Sequence, residues 1–313
     1  MPALITHDFF GRDMSERNLR IAGPTRDEMD AFLLGNQGPD PLFYLAAVPF
    51  LSKYAQLGVA CHAERTPELL MAFKSAVRAL GPQDQKIGRA YFHGFLCHFA
   101  LDSTMHPFVY AQQYALCDAG VDGLAREDGR EVHAVIESSF DELVLYVKAD
   151  ETVATFQPWA RVLLASKEVL AVISSLYVRV ANEMWGTDIP ADLFSRAVKS
   201  YRRVQRLLYS PYGGKRAAFS RVERIARRHS FLGAMSHRAV EETTSPFDNH
   251  AHRVWKDPET GVASTTGFWE LHQLAQTSAA RLIQAFDRDE LSLEEACALT
   301  GDVNFSGVPI VKC

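Results

Sequence analysis

Apolar residues along this chain recur mostly at three- and four-residue intervals, the spacing of helices with one buried face, and the period-two alternation of strands is scarce. Punctuation residues divide the pattern into elements. Segment 25–34 opens on Thr25 as a side-chain cap, carries Asp27 and Glu28 in its first turn, and stops at Gly35. The following run, Gly35-Asn36-Gln37-Gly38-Pro39-Asp40-Pro41, is dense in turn formers and reads as a loop. A helix is predicted over 66–80, with Thr66 as cap, Pro67 at the first helical position and Gly81-Pro82 as the stop. A long apolar helix runs from about 83 to 106 and ends at Pro107. Further helices are predicted over 130–149, 159–184, 191–209, 217–239, 266–287 and 291–299. Segment 241–265 is the longest irregular stretch, either a functional lid or a surface excursion. The expected fold is all-α, a multi-helix bundle in one domain over 1–313.

Composition narrows the class. With 313 residues and 47% hydrophobic content the chain can bury a large core. Its net charge of -5 gives no reason to expect a stable nucleic-acid partner. Its cysteines, Cys61, Cys97, Cys117, Cys297 and Cys313, are odd in number, widely spaced and without a Cys-x-x-Cys pair. That pattern implies reduced thiols and argues against a thiolate zinc knuckle. The N-terminus shows neither a basic segment nor an apolar leader, and no apolar run is long enough to span a bilayer, so a cytoplasmic protein is expected. The basic run 215–229 (KRAAFSRVERIARRH) is either a solvated helix face or a docking surface for anionic lipid.

The chemistry concentrates in 91–108, YFHGFLCHFALDSTMHPF. His98, Asp102 and His106 are each four residues apart, and on a helix such residues stack along one face. Two imidazoles and a carboxylate on one stripe can converge on a metal ion, and they are the ligands zinc accepts where thiolates are lacking. A second helix offers His133 and Glu137 at the same spacing. Each pair alone is weak evidence. The composite HxxxDxxxHP followed by HxxxE is much harder to obtain by accident, and an unpaired Asp102 among Phe95, Phe99 and Leu101 would be costly to bury. His93 falls on another face of the helix and reads as structural, and His250 and His252 read as part of an exposed polar loop.

This pattern resembles the zinc-dependent phospholipase C family, related in fold to the S1/P1 nucleases. The recognisable motifs cover roughly residues 1–145, a metal-binding core, with weaker likeness through the helical region 158–313. The resemblance implies a first zinc ion held by Asp40, His62, His98 and Asp102, and a second held by His106, His133 and Glu137. It implies a third ion held by His7 and sharing Asp102. Two departures stand out. Secreted members of the family begin, once processed, with a Trp that binds the third metal, whereas this chain reads Met1-Pro2. They also have a longer gap between the Asp and the following His than the Asp-x-x-x-His-Pro form here.

Two or three clustered zinc ions suit phosphodiester hydrolysis. The resemblance gives Asp40 a second role as general base, and Phe43 and Tyr44 stand beside it either as an aromatic wall for substrate or as core residues. The activity this implies is a phospholipase C-like phosphodiesterase acting on a phospholipid or small phosphodiester, with peripheral contact to the inner membrane surface. The alternatives are an S1/P1-like nuclease or nucleotidase, and a helical protein that binds metal without turnover.

Overall fold

The computed structural model describes residues 3–223 and 229–310. Among these, the chain runs through α1 (Leu4–Arg17), α2 (Leu19–Ala22), α3 (Arg26–Gly35), a 3-10 segment Asp40–Ala47, α4 (Ala55–Ala63), α5 (Thr66–Arg78) and α6 (Pro82–Asp118). It continues with α7 (Gly129–Ala149), α8 (Val153–Phe156), α9 (Pro158–Arg161), α10 (Lys167–Trp185), α11 (Leu193–Leu208), α12 (Gly214–Glu223) and α13 (Phe231–Ala234). A hairpin of two short strands, β1 (Trp255–Lys256) and β2 (Ala263–Ser264), precedes α14 (Phe268–Phe286) and α15 (Leu293–Thr300). The fold is all-α, and no helix among the described residues is long and apolar enough to cross a membrane.

Local chemistry explains most boundaries. Thr25 caps α3 through a reciprocal capping box with Glu28. At α5 the cap position belongs to Arg65, whose φ of 51° turns the chain, and Thr66 lies inside the helix. Pro107 does not end α6. Its missing N–H and ring cost about 3 kcal/mol inside a helix. Continuing, however, buries Phe108 and Val109 almost completely, at about 1.5–3 kcal/mol each. The expected helix over 159–184 is two helices, because Leu163 takes a φ of 58° and Ser166 starts a new cap on the Val169 N–H. The expected helix over 217–239 falls partly outside the described residues, and its end is wrong: Ser230 caps a fresh short helix, α13, and residues 237–240 are irregular. Helix α1 escaped the periodic reading because it buries polar residues, Thr6, His7 and Asp8, beside Leu4, Ile5 and Phe10.

The chain packs as two compact units, each assembled from three separated stretches. The first comprises Phe10–Thr104, Leu163–Arg203 and Leu274–Cys313. At its centre α3 crosses α6 with the backbones in direct contact. A Cβ on Gly35 would lie 2.1 Å from the Tyr91 carbonyl oxygen, and one on Gly94 would lie 2.1 Å from that of Phe32. An aromatic cluster of Phe73, Tyr91, Phe95, Tyr177 and Phe194 fills the space beside this crossing. The second unit comprises Met1–Phe9, Met105–Val162 and Val204–Gln273. There Phe140 of α7 stacks between Phe108 and Phe268. The fully buried Asp141 carboxylate accepts hydrogen bonds from the Thr6 N–H and hydroxyl at the start of α1, both at 2.7 Å, and meets His237 at 2.8 Å.

Candidate metal centres

In the Phe10–Thr104 unit, four predicted ligands meet. The α3–α6 crossing carries the end of α3 against His98, where the imidazole Nδ1–H donates to the Asn36 carbonyl at 3.1 Å. The chain then turns through Gly38, which has a φ of 49° and lies so close that a Cβ would sit 2.2 Å from the His98 ring. The hydroxyls of Tyr91 and Tyr177 hold this turn from below, each donating to the Gly38 carbonyl. Two residues on, Asp40 opens the 3-10 segment rather than lying in a loop, with its side chain buried. His62 comes from the last turn of α4, its Nδ1–H donating to the Gly58 carbonyl at 2.7 Å. Since a carbonyl can only accept, each imidazole carries a proton on Nδ1 and turns Nε2 toward the carboxylates.

The resulting distances are short. His62 Nε2 lies 3.1 Å from Asp40 and 3.9 Å from Asp102, and His98 Nε2 lies 3.2 Å from Asp102 and 4.0 Å from Asp40. A tetrahedral zinc ion with ligands at about 2.0–2.2 Å separates its donor atoms by roughly 3.4 Å. Asp40, His62 and His98 offer ligand atoms all within 4.8 Å of one another and so suit one ion in chemistry and spacing, and Asp102 lies beside both imidazoles. Burial pushes the Asp40 carboxyl up, yet the hydrogen bond from His62 and the charges of His98 and His62 outweigh it and hold the group below the usual carboxylate value. One wall was not foreseen from the sequence. Phe305, fully buried beyond α15, sets its ring 5.1 Å from His62 and 5.7 Å from His98, and its N–H donates to the His62 carbonyl. No spacing rule connects a residue so late in the chain with the early ligands.

The other unit holds the second predicted set. His106 of α6 and His133 and Glu137 of α7 offer ligand atoms all within 4.8 Å of one another. His133 Nε2 is 3.2 Å from Glu137 and His106 Nε2 is 3.6 Å away. Burial pushes the Glu137 carboxyl up, but the groups around it, His133 and His106 among them, outweigh this and hold it well below its usual value. Burial also lowers His133, against the pull of Glu137, which favours the neutral imidazole a metal requires. The His133 Nδ1–H donates to the side-chain carbonyl of Gln113 at 3.0 Å. Tyr110 packs against both rings, 5.7 Å from His106 and 5.2 Å from His133.

The remaining predicted residues take varied positions. His7 is buried on α1. Phe43 is half-buried with its ring 5.0 Å from His62, at the edge of the first cluster. Tyr44 points into the core, stacked 3.8 Å from Tyr201, with its carbonyl accepting from Ser200. His93 is buried and bonds the Ile21 carbonyl and Asp287, a structural role. His250 pairs with Asp248 and His252 is exposed, both in the irregular segment before the hairpin.

A helical fold carrying clustered imidazoles and carboxylates, with no thiolate in either cluster, has the ligand chemistry of metal-binding helical proteins. Within that class, the family model described as zinc dependent phospholipase C matches residues 6–186, a span that contains every candidate ligand in both clusters. The chain belongs to the zinc-dependent phospholipase C family. No curated protein and no solved structure matches it.

Proposed function

We propose that the protein is a zinc-dependent phosphodiesterase that hydrolyses the head-group ester of a phospholipid. The observation that carries this reading is the spacing of Asp40, His62 and His98, which suits one zinc ion with Asp102 beside it, together with a second set of the same chemistry in His106, His133 and Glu137. Zinc, when bound, supplies Lewis acidity toward a phosphoryl oxygen and lowers the pKa of water. The side chains do the rest. Asp40, ionised at neutral pH, is both ligand and the base that accepts the proton of the attacking water. The half-exposed face of Phe43 beside His62 is the aromatic wall for the substrate, and Tyr44, the next residue, anchors this stretch in the core against Tyr201. Family resemblance assigns His7 to a third ion.

A second observation favours lipid over nucleic acid. Between Asp40 and His62 the chain carries one charged residue, Lys53, and no carboxylate. This stretch exposes Phe50 to solvent at 95% and holds it at a φ of 64°, so an aromatic side chain is presented to water at a cost in both hydration and backbone strain. Such a projection, on the stretch of chain that joins two residues of the first cluster, suits an apolar surface far better than a phosphate backbone.

The test is zinc analysis of the purified protein with a panel of phosphatidylcholine vesicles, a soluble nitrophenyl phosphodiester and single-stranded DNA. Zinc-dependent cleavage of the first two, with little of the third, is expected. Phe50→Ser should lower the rate on vesicles by about tenfold and leave the soluble substrate unaffected. Preferential cleavage of DNA would replace this reading with a nuclease, and zinc binding without cleavage of anything in the panel would make the protein a non-catalytic metal binder.

A further inference from the structure

We infer that Gln113 is a positioning residue for the second zinc ion, selecting the tautomer of His133 through a side-chain amide seated against Gly129. This rests on the reading that His106, His133 and Glu137 hold zinc.

The geometry begins on α6. Gln113 follows His106 by seven residues, two helical turns, so ligand and positioning group share one face of one helix. The Gln113 side chain is buried at 9% exposure, and its Oε1 accepts the His133 Nδ1–H at 3.0 Å. Its other end is set by α7. Gly129, the first residue of that helix, has φ -54° and ψ -36°, ordinary helical values that any residue adopts. What Gly129 supplies is space: a Cβ there would lie 2.6 Å from Gln113 Nε2. The amide is thus seated with its NH2 end over Gly129 and its carbonyl on the imidazole.

The direction of the amide matters because a neutral imidazole has one N–H. An acceptor at Nδ1 keeps the proton there and leaves the Nε2 lone pair facing Glu137, where a metal needs it. A reversed amide would offer an N–H to Nδ1, draw the proton to Nε2 and close that lone pair to zinc. His62 and His98 receive the same instruction from main-chain carbonyls. For His133 the instruction comes from a side chain, so substitution can remove it.

The experiment measures zinc affinity of the full-length protein by chelator competition, alongside thermal melting of the apo form. Gln113→Leu, similar in size but without an acceptor, should weaken one class of zinc site by about 10- to 100-fold and leave the other class unchanged. Gln113→Glu keeps the acceptor and should bind within a few-fold of wild type. Gly129→Ala, which touches no ligand, should weaken the same class of site, and in combination with Gln113→Leu should add almost nothing further. If His133→Ala loses a class of zinc site while Gln113→Leu binds as wild type, the inference is overturned and the metal reading stands. If His133→Ala binds as much zinc as wild type, the metal reading itself falls. Weak binding by Gln113→Glu equal to that of Gln113→Leu would also overturn the inference, since Glu keeps the acceptor that Leu lacks.

Discussion

The two clusters use the same donors and differ in what aims them. His62 and His98 are oriented by the carbonyls of Gly58 and Asn36, groups that every residue type provides. His133 is oriented by Gln113, a group that one codon can remove. The first cluster is accordingly bound to the course of the backbone: the glycine crossing of α3 and α6, the Gly38 turn and the tyrosine hydroxyls beneath it all fix where Asn36 and Asp40 lie. The second depends on packing between individual side chains. A site aimed by the main chain should resist substitution of neighbouring side chains and fail when the backbone shifts, while a site aimed by a side chain should do the reverse.

The largest effect tests the shared part of that comparison. His98→Ala and Asp102→Asn each remove a donor from the first cluster and should lower hydrolysis by well over the roughly 100-fold typical of losing an outer hydrogen-bond partner. Zinc lost per chain, measured by mass spectrometry, should accompany the loss. Next comes Gly94→Ala. The added methyl meets the Phe32 carbonyl oxygen, so α3 and α6 must separate, at about 1–3 kcal/mol of stability. The melting temperature should fall, and zinc at the first cluster should weaken while the second keeps its affinity. A Gly94→Ala protein with wild-type affinity at both would show that main-chain aim is unimportant.

The smallest effect concerns Asp287, which has no place in either cluster. Burial pushes its carboxyl up, but hydrogen bonds from His93 and Arg89 hold it far below the usual carboxylate value. A depressed carboxylate contributes stability that is complete above the ordinary value of about 4 and fades as pH falls through the folded-state value. Asp287→Asn should therefore cost about 1–2 kcal/mol at neutral pH, limited by the side chain's partial exposure. The gap from wild type in denaturant melts should narrow below about pH 4. Zinc affinity should be unchanged.

The sequence disclosed those parts of the site that repeat along a helix. His98, Asp102 and His106 follow one another at four-residue steps, as do His133 and Glu137, so a helical reading puts each set on one face. Asp40 and His62 carry no such period and came into view only by family resemblance. The groups that aim the first cluster left no trace, because a main-chain carbonyl has no residue signature and Asn36 looks like any turn former. Gln113 was readable in principle, seven residues beyond His106, but its meaning depends on Gly129, whose role is an absence of atoms. Phe305 reaches the first cluster by tertiary folding alone. For the fold, caps and glycine stops located most helices. The failures fell where burial overrode local preference, at Pro107 inside α6 and along the polar interior of α1.

Each cluster should bind zinc independently through its own imidazoles. Zinc content after reconstitution and removal of loosely held metal, compared for wild type, His98→Ala and His133→Ala, tests it most directly. The account predicts at least one tightly held ion per cluster in the wild type, with each variant losing the ion of its own cluster and retaining the other. Wild-type zinc content in both variants would contradict it.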